Sequence, residues 1–169
     1  MKFQLIGKPS ADKGFRKQVE SIKRQKIVSK KVVSLNDFRE LRKNIDTKTI
    51  LVVDDDEIMR NALKRILEGE GYNVVLAMDG LELSKTLETS RLDMILLDVN
   101  LPWVDGIELC RLIKTHHSLK KIPLVMVSAR NSKEDVEKGF DAGCDDYVTK
   151  PFEIDHITGV IQQQFLKSG

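Results

Sequence analysis

Cysteine is scarce in this chain: Cys110 and Cys144 are the only two among 169 residues. They are too few and too far apart for a disulfide framework or a zinc site, which leaves buried free thiols as the expectation. Aromatic residues make up 5% with a single Trp, too sparse for a base-stacking platform. Four prolines and ten glycines exclude a collagen-like or Pro/Gly-rich disordered chain. No apolar run approaches the roughly 20 residues that a membrane-spanning helix needs. The opening stretch MKFQLIGKPSADKGFRK holds a broken apolar segment rather than a continuous h-region, so the cytoplasm is the expected compartment. A dominant charge is missing as well, with 28 Lys and Arg against 26 Asp and Glu, net +2.

That sum hides a division. Residues 1–48 carry 14 basic against 5 acidic side chains, net +9, and residues 49–169 carry 14 against 21, net −7. The sequence therefore reads as a basic extension, 1–48, followed by an acidic domain, 49–169.

From Thr49 onward short apolar runs alternate with helical patterns. Ile50–Val53, Asn73–Ala77, Met94–Leu97, Pro123–Val127 and Tyr147–Thr149 read as strands. Between and after them lie helices carrying Ile58, Ala62, Leu63, Ile66 and Leu67, then Asp79 to Glu88, then Ile107 to Ile113, then Val136 and Phe140, and last Ile154, Ile157, Val160, Ile161 and Phe165. Gly69-Glu70-Gly71 and Gly143 supply helix stops. Five β–α repeats with uniformly apolar strands predict an α/β fold, a doubly wound parallel sheet with helices on both faces. In such sheets ligands sit beyond the carboxyl ends of the strands.

The residues at those ends are Asp54, Asp55 and Asp56, then Asp98, Ser128 and Lys150. Carboxylates gathered on one rim must bind protons or recruit a cation. An oxygen-rich site with few protein ligands suits Mg²⁺ completed by a phosphate oxygen. Lys150 offers a point charge and Ser128 a hydroxyl to an anion beside the metal. The set supports transfer of a phosphoryl group onto a carboxylate nucleophile.

The segments ILVVDDDE, LLDVNLPWVDGIEL, VMVSAR and AGCDDYVTKPF, in this order, resemble the receiver domain of two-component response regulators, the CheY-like superfamily, over residues 49 to about 167. The resemblance implies a five-stranded sheet of order 2-1-3-4-5 and a phosphoacceptor role for Asp98, which takes its phosphoryl group from a phosphohistidine on a sensor histidine kinase or phosphotransfer protein. It implies Mg²⁺ held by Asp55 directly, by Asp54 through water, by Asp98 and by the backbone carbonyl of Asn100. Ser128 is then the hydroxyl that meets the phosphoryl group, and Lys150 the signature lysine before a cis proline. Tyr147 matches the switch aromatic whose rotation accompanies the Ser128 shift. The surface from about Asn131 to Phe165, made by the fourth helix, fifth strand and fifth helix, would dock a protein target or a second copy. Asn100 and Arg130 occupy the two positions that tune the lifetime of the phosphorylated form; the long Arg either hinders an attacking water or positions it.

Plainer roles stand beside these. Asp56 and Glu57 are expected to stabilise the start of the first helix, and Asp105-Gly106 and Pro102 to shape a loop. For Ser128 the plainer role is to cap the helix after it, and for Tyr147 ordinary packing. Trp103 is either an exposed docking contact or a loop anchor. His116, His117 and His156 read as solvated, and Cys144 as structural. Within residues 1–48, Phe15, Val19 and Ile22 and then Leu35, Phe38, Leu41 and Ile45 fall at helical spacing, so a basic, partly helical arm is expected.

The leading expectation is thus a stand-alone receiver that signals by protein contact and catalyses only its own phosphorylation and dephosphorylation. The alternative is a nucleic-acid-binding regulator with the arm as effector, although no recognised DNA-binding module fits. A metal-dependent phosphohydrolase ranks last, because it needs a second acid where Asn100 stands.

Overall fold

The structure, a computed structural model, describes residues 47–168. The expectations for the arm therefore lie outside the described residues, apart from its last two positions. The order of elements is β1 (Thr49–Val53), α1 (Glu57–Gly69), β2 (Asn73–Ala77), α2 (Gly80–Thr89), β3 (Met94–Leu97), α3 (Gly106–Thr115), β4 (Leu124–Ser128), α4 (Lys133–Asp141), β5 (Asp146–Thr149) and α5 (Ile154–Ser168). All five strands are parallel and their order is β2-β1-β3-β4-β5, as expected.

Strand alternation sorts the core into two layers. Leu51, Val53, Ile95, Leu97, Leu124 and Met126 face one side, where Leu83 of α2 and Leu109, Cys110 and Ile113 of α3 pack on them. Ile50, Val52, Met94, Leu96, Val125, Val127 and Val148 face the other, against Leu63 and Leu67 of α1 and Ile157 and Ile161 of α5. Strands β1, β3 and β4 are consequently apolar on both faces, and each buried aliphatic side chain contributes about 1.5–3 kcal/mol.

The helix stops follow from local chemistry. Gly71 and Gly143 adopt positive φ of 90° and 100° just beyond α1 and α4, a conformation that side chains with a Cβ resist. At the N-termini, Asp56, Asp79, Asp105 and Ser132 each accept backbone N–H bonds from the first turn that follows. Asp56 thus has the bland role the sequence suggested, whereas Asp105, expected to shape a loop, caps α3. Ser132, not Ser128, caps α4, which leaves the Ser128 hydroxyl free of that duty.

One helix face differs from expectation. Ile58 is 82% exposed and Ala62 is also exposed, while α1 buries Arg60, Leu63 and Leu67. The first turn of α1 overhangs the rim of the sheet, so the inward line runs along the i, i+3, i+7 positions beginning at an arginine.

Candidate functional site

The rim at the carboxyl ends of the strands gathers the predicted chemistry. Asp54 extends β1 and Asp98 extends β3, which are paired neighbours, and the Asp98 N–H donates to the Val53 carbonyl at 2.9 Å. One carboxylate oxygen from each of Asp54, Asp55 and Asp98 lies within 4.8 Å of the others. Asp54 and Asp98 are buried and Asp55 is exposed. The Lys150 ammonium stands between the buried pair, 2.7 Å from Asp54 Oδ2 and 3.1 Å from Asp98 Oδ2. The Lys150–Pro151 peptide bond is cis.

Three carboxylates and one ammonium leave a formal charge of −2 on the cluster, which one divalent cation balances. Oxygen donors with one open, solvated member suit Mg²⁺, which keeps several waters. The donor set therefore fits the metal expected from the sequence. Burial raises the Asp54 carboxyl above its ordinary value, and the hydrogen bonds from Lys150 and from the Asp56 N–H only partly offset this. Burial alone would pull Lys150 down, but the bond from Asp54 and the charges of Asp98 and Asp54 outweigh it, so the ammonium holds its proton beyond the usual lysine range.

The loops around Asp98 are tied to it. The Asn100 N–H donates to Asp98 Oδ1 at 3.1 Å. Gly106, the first residue of α3, packs so closely that a Cβ there would meet the Asp98 carbonyl oxygen and approach Val99 Cα to 2.5 Å. Across the rim, Arg130 reaches over from the loop after β4. Its Nε donates to Asn100 Oδ1 at 2.7 Å, and its Nη1 lies 3.8 Å from Asp105 Oδ2.

Ser128 is completely buried at the end of β4, and its Oγ accepts from the Arg130 N–H at 3.2 Å. Tyr147 is half-buried against α4, and its hydroxyl donates to the Arg130 carbonyl at 2.8 Å. Burial pushes the Tyr147 phenol upward, with donation from the Ser128 hydroxyl acting against it. Trp103 proves to be an anchor: its indole N–H donates to the Met78 carbonyl at 3.3 Å, and its ring lies against Gly80. His116, His117 and His156 are exposed, as expected.

Comparison with known proteins decides the family. The response regulator receiver domain matches residues 50–162. This chain belongs to the response regulator receiver-domain family. A response regulator MprA from Mycobacterium sp. (strain KMS) is 41% identical over 108 residues, covering 64% of this chain and 46% of the relative. The chain thus spans about half the length of the curated relatives it matches. Among solved structures, a response regulator from Chloroflexus aurantiacus J-10-fl matches with a TM-score of 0.68 at 32% identity, over 72% of this chain and 99% of that one. A CheY-like receiver domain protein from Methanospirillum hungatei JF-1 matches with a TM-score of 0.66 at 31% identity, over 73% of this chain and 97% of that one.

Receiver domains function in two-component signalling, and the acidic rim of this one is the pocket such a role requires. Among the described residues no helix is long and apolar enough to cross a membrane. Sequence reasoning missed one member of the pocket's surroundings. Arg60 is 8% exposed, and its Nη1 donates to the Asp54 carbonyl at 2.6 Å. A reading that collects apolar residues along a helix passes over it; the signal was an arginine in register with Leu63 and Leu67.

Proposed function

We propose that Asp98 is the phosphoacceptor and that this receiver is switched by a phosphohistidine donor on a histidine kinase or phosphotransfer protein. The observation that carries the reading is the Lys150 ammonium bridging the two buried carboxylates beside an exposed third. Asp54, Asp55, Asp98 and the Asn100 carbonyl would hold Mg²⁺. Bound there, the ion neutralises charge developing on the phosphoryl oxygens.

In the transfer, an Asp98 carboxylate oxygen attacks phosphorus, the P–O bond forms, and the P–N bond to the donor imidazole breaks, leaving the electron pair on that nitrogen. Lys150, held protonated, moves from balancing a carboxylate to pairing a phosphoryl oxygen. The carboxylate becomes a bulkier, more negative group, and the Ser128 hydroxyl turns to donate to it. Because the Ser128–Arg130 stretch also anchors the Tyr147 hydroxyl, that turn releases Tyr147 inward and reshapes the α4–β5–α5 face, where a protein target or second copy docks. In this reading the domain acts in the cytoplasm and catalyses only its own phosphorylation and dephosphorylation. Residues 1–48 form a separate basic extension to the receiver at 49–169. Arg130, fixed on Asn100, shields the acceptor from water.

The test is phosphate incorporation from a small phosphodonor with Mg²⁺, read by intact mass. Wild type is expected to take up one phosphoryl group and Asp98→Asn none; equal uptake by both would overturn the assignment.

A further inference from the structure

A buried arginine needs a reason, because a guanidinium is among the groups least often taken out of water. Arg60 lies 8% exposed on the inward line of α1, where its neighbours Leu63 and Leu67 are apolar. No ion pair between Arg60 and a carboxylate is found among the described residues. Its recorded side-chain partner is a main-chain oxygen, that of Asp54, at 2.6 Å.

That oxygen belongs to the peptide linking Asp54 to Asp55, and the two side chains flanking it are otherwise held very differently. The Asp54 carboxylate is fixed at both oxygens, Oδ1 accepting from the Asp56 N–H at 2.8 Å and Oδ2 from Lys150 at 2.7 Å. The Asp55 side chain is exposed and shows no such bond. Its placement within 4.8 Å of the other two carboxylates therefore depends on the orientation of its own backbone. A peptide plane is rigid, so fixing its carbonyl fixes the direction of the next residue's N–Cα bond. Arg60 supplies that fixation from the end of the first turn of α1, as a charge-assisted bond inside a poorly solvated layer.

We propose that Arg60 is a positioning residue for the metal site: by holding the Asp54–Asp55 peptide it aims the exposed Asp55 carboxylate at the cluster. The inference rests on the reading of Asp54, Asp55 and Asp98 as the Mg²⁺ site. It adds a residue that contacts neither metal nor phosphoryl group. Outer partners that orient a metal's ligands commonly carry 10–100-fold of its affinity.

The experiment is calorimetric titration of the full chain with Mg²⁺ alone, without phosphodonor, on wild type, Arg60→Met, Arg60→Gln and Arg60→Lys, with urea unfolding of each in EDTA. Met and Gln remove the charged donor and are expected to weaken Mg²⁺ binding about tenfold or more. Lys keeps a cationic donor on a long stem and is expected to stay within about threefold of wild type. Two variants without the charge, one of them also without a donor, guard against one that fails to fold. Met or Gln binding within twofold of wild type overturns the proposal, as does a loss shared equally by Lys. So does failure of all three variants to fold, which would make Arg60 a folding residue. Absence of Mg²⁺ binding by wild type itself would instead overturn the metal-site reading beneath it, so the two failures are distinguishable.

Discussion

Replacing Gly106 with Ala tests how closely the start of α3 is pressed onto Asp98 and the end of β3. The added methyl would fall against the Asp98 carbonyl oxygen and 2.5 Å from Val99 Cα, where ordinary contact begins at 3.4 Å. Both neighbours are backbone at the end of a fully buried strand, so relief requires α3 and the β3–α3 loop to separate by about 1 Å. Overpacking of this kind costs about 1–3 kcal/mol, and immovable neighbours place it at the upper end. Ala in place of Gly returns about 0.5–1 kcal/mol through backbone entropy. The net loss is about 2 kcal/mol, a fall in Tm of roughly 8 °C for a domain of this size. Gly159 in α5 supplies the control, since nothing lies within 4 Å of a Cβ there, and Gly159→Ala should stabilise by about 0.5–1 kcal/mol. Urea unfolding followed by circular dichroism measures both, with an unchanged m-value marking a change in stability rather than in compactness. The Gly106 variant should also incorporate phosphate more slowly, because the displaced backbone carries Asp98, the proposed acceptor. Two alanine variants that move the urea midpoint in the same direction would refute the packing argument.

Further outcomes follow from the buried groups. Lys150→Met leaves Asp54 and Asp98 without their shared cation and should destabilise the metal-free chain by about 3 kcal/mol; urea midpoints in EDTA check this. Asp54 has a raised folded pKa, so its contribution is present below the ordinary 3.8 and is lost as pH rises through the folded value. Acidification should accordingly narrow the gap between variant and wild type, and a gap that widens would contradict this. Burial pushes the Cys110 thiol up to about 11 and Cys144 up to about 12, against 9.0 for a free thiol. Their contribution is intact below pH 9 and falls as pH rises toward the folded values, by about 1.4 kcal/mol per thiol and pH unit. A double Cys→Ala variant should show a flatter decline in urea midpoint between pH 9 and 11; parallel declines would remove the thiols as its cause.

The sheet and most of the site were legible in the sequence because both obey local rules. Apolar runs of four or five residues between helical stripes determine a parallel sheet, and the fold then delivers Asp54, Asp98 and Lys150 to one rim regardless of their separation in the chain. What stayed hidden depends on contacts between elements. The reach of Arg130 to Asn100 and the seat of Trp103 on Gly80 each need two loops placed together. Arg60 was hidden for a different reason. Apolar periodicity passes over it, because the stripe's first inward position is charged.

Arg130 is held at both ends by different parts of the molecule: its side chain by Asn100 in the loop after β3, its main-chain carbonyl by the Tyr147 hydroxyl. It therefore works as a rocker arm with a pin at each end. The chain cannot draw the Ser128–Arg130 stretch toward Asp98 without straining or breaking the pin at Tyr147, and it cannot turn Tyr147 without loosening the grip on the β3–α3 loop. Both ends load one lever, so changes at its two ends should not add.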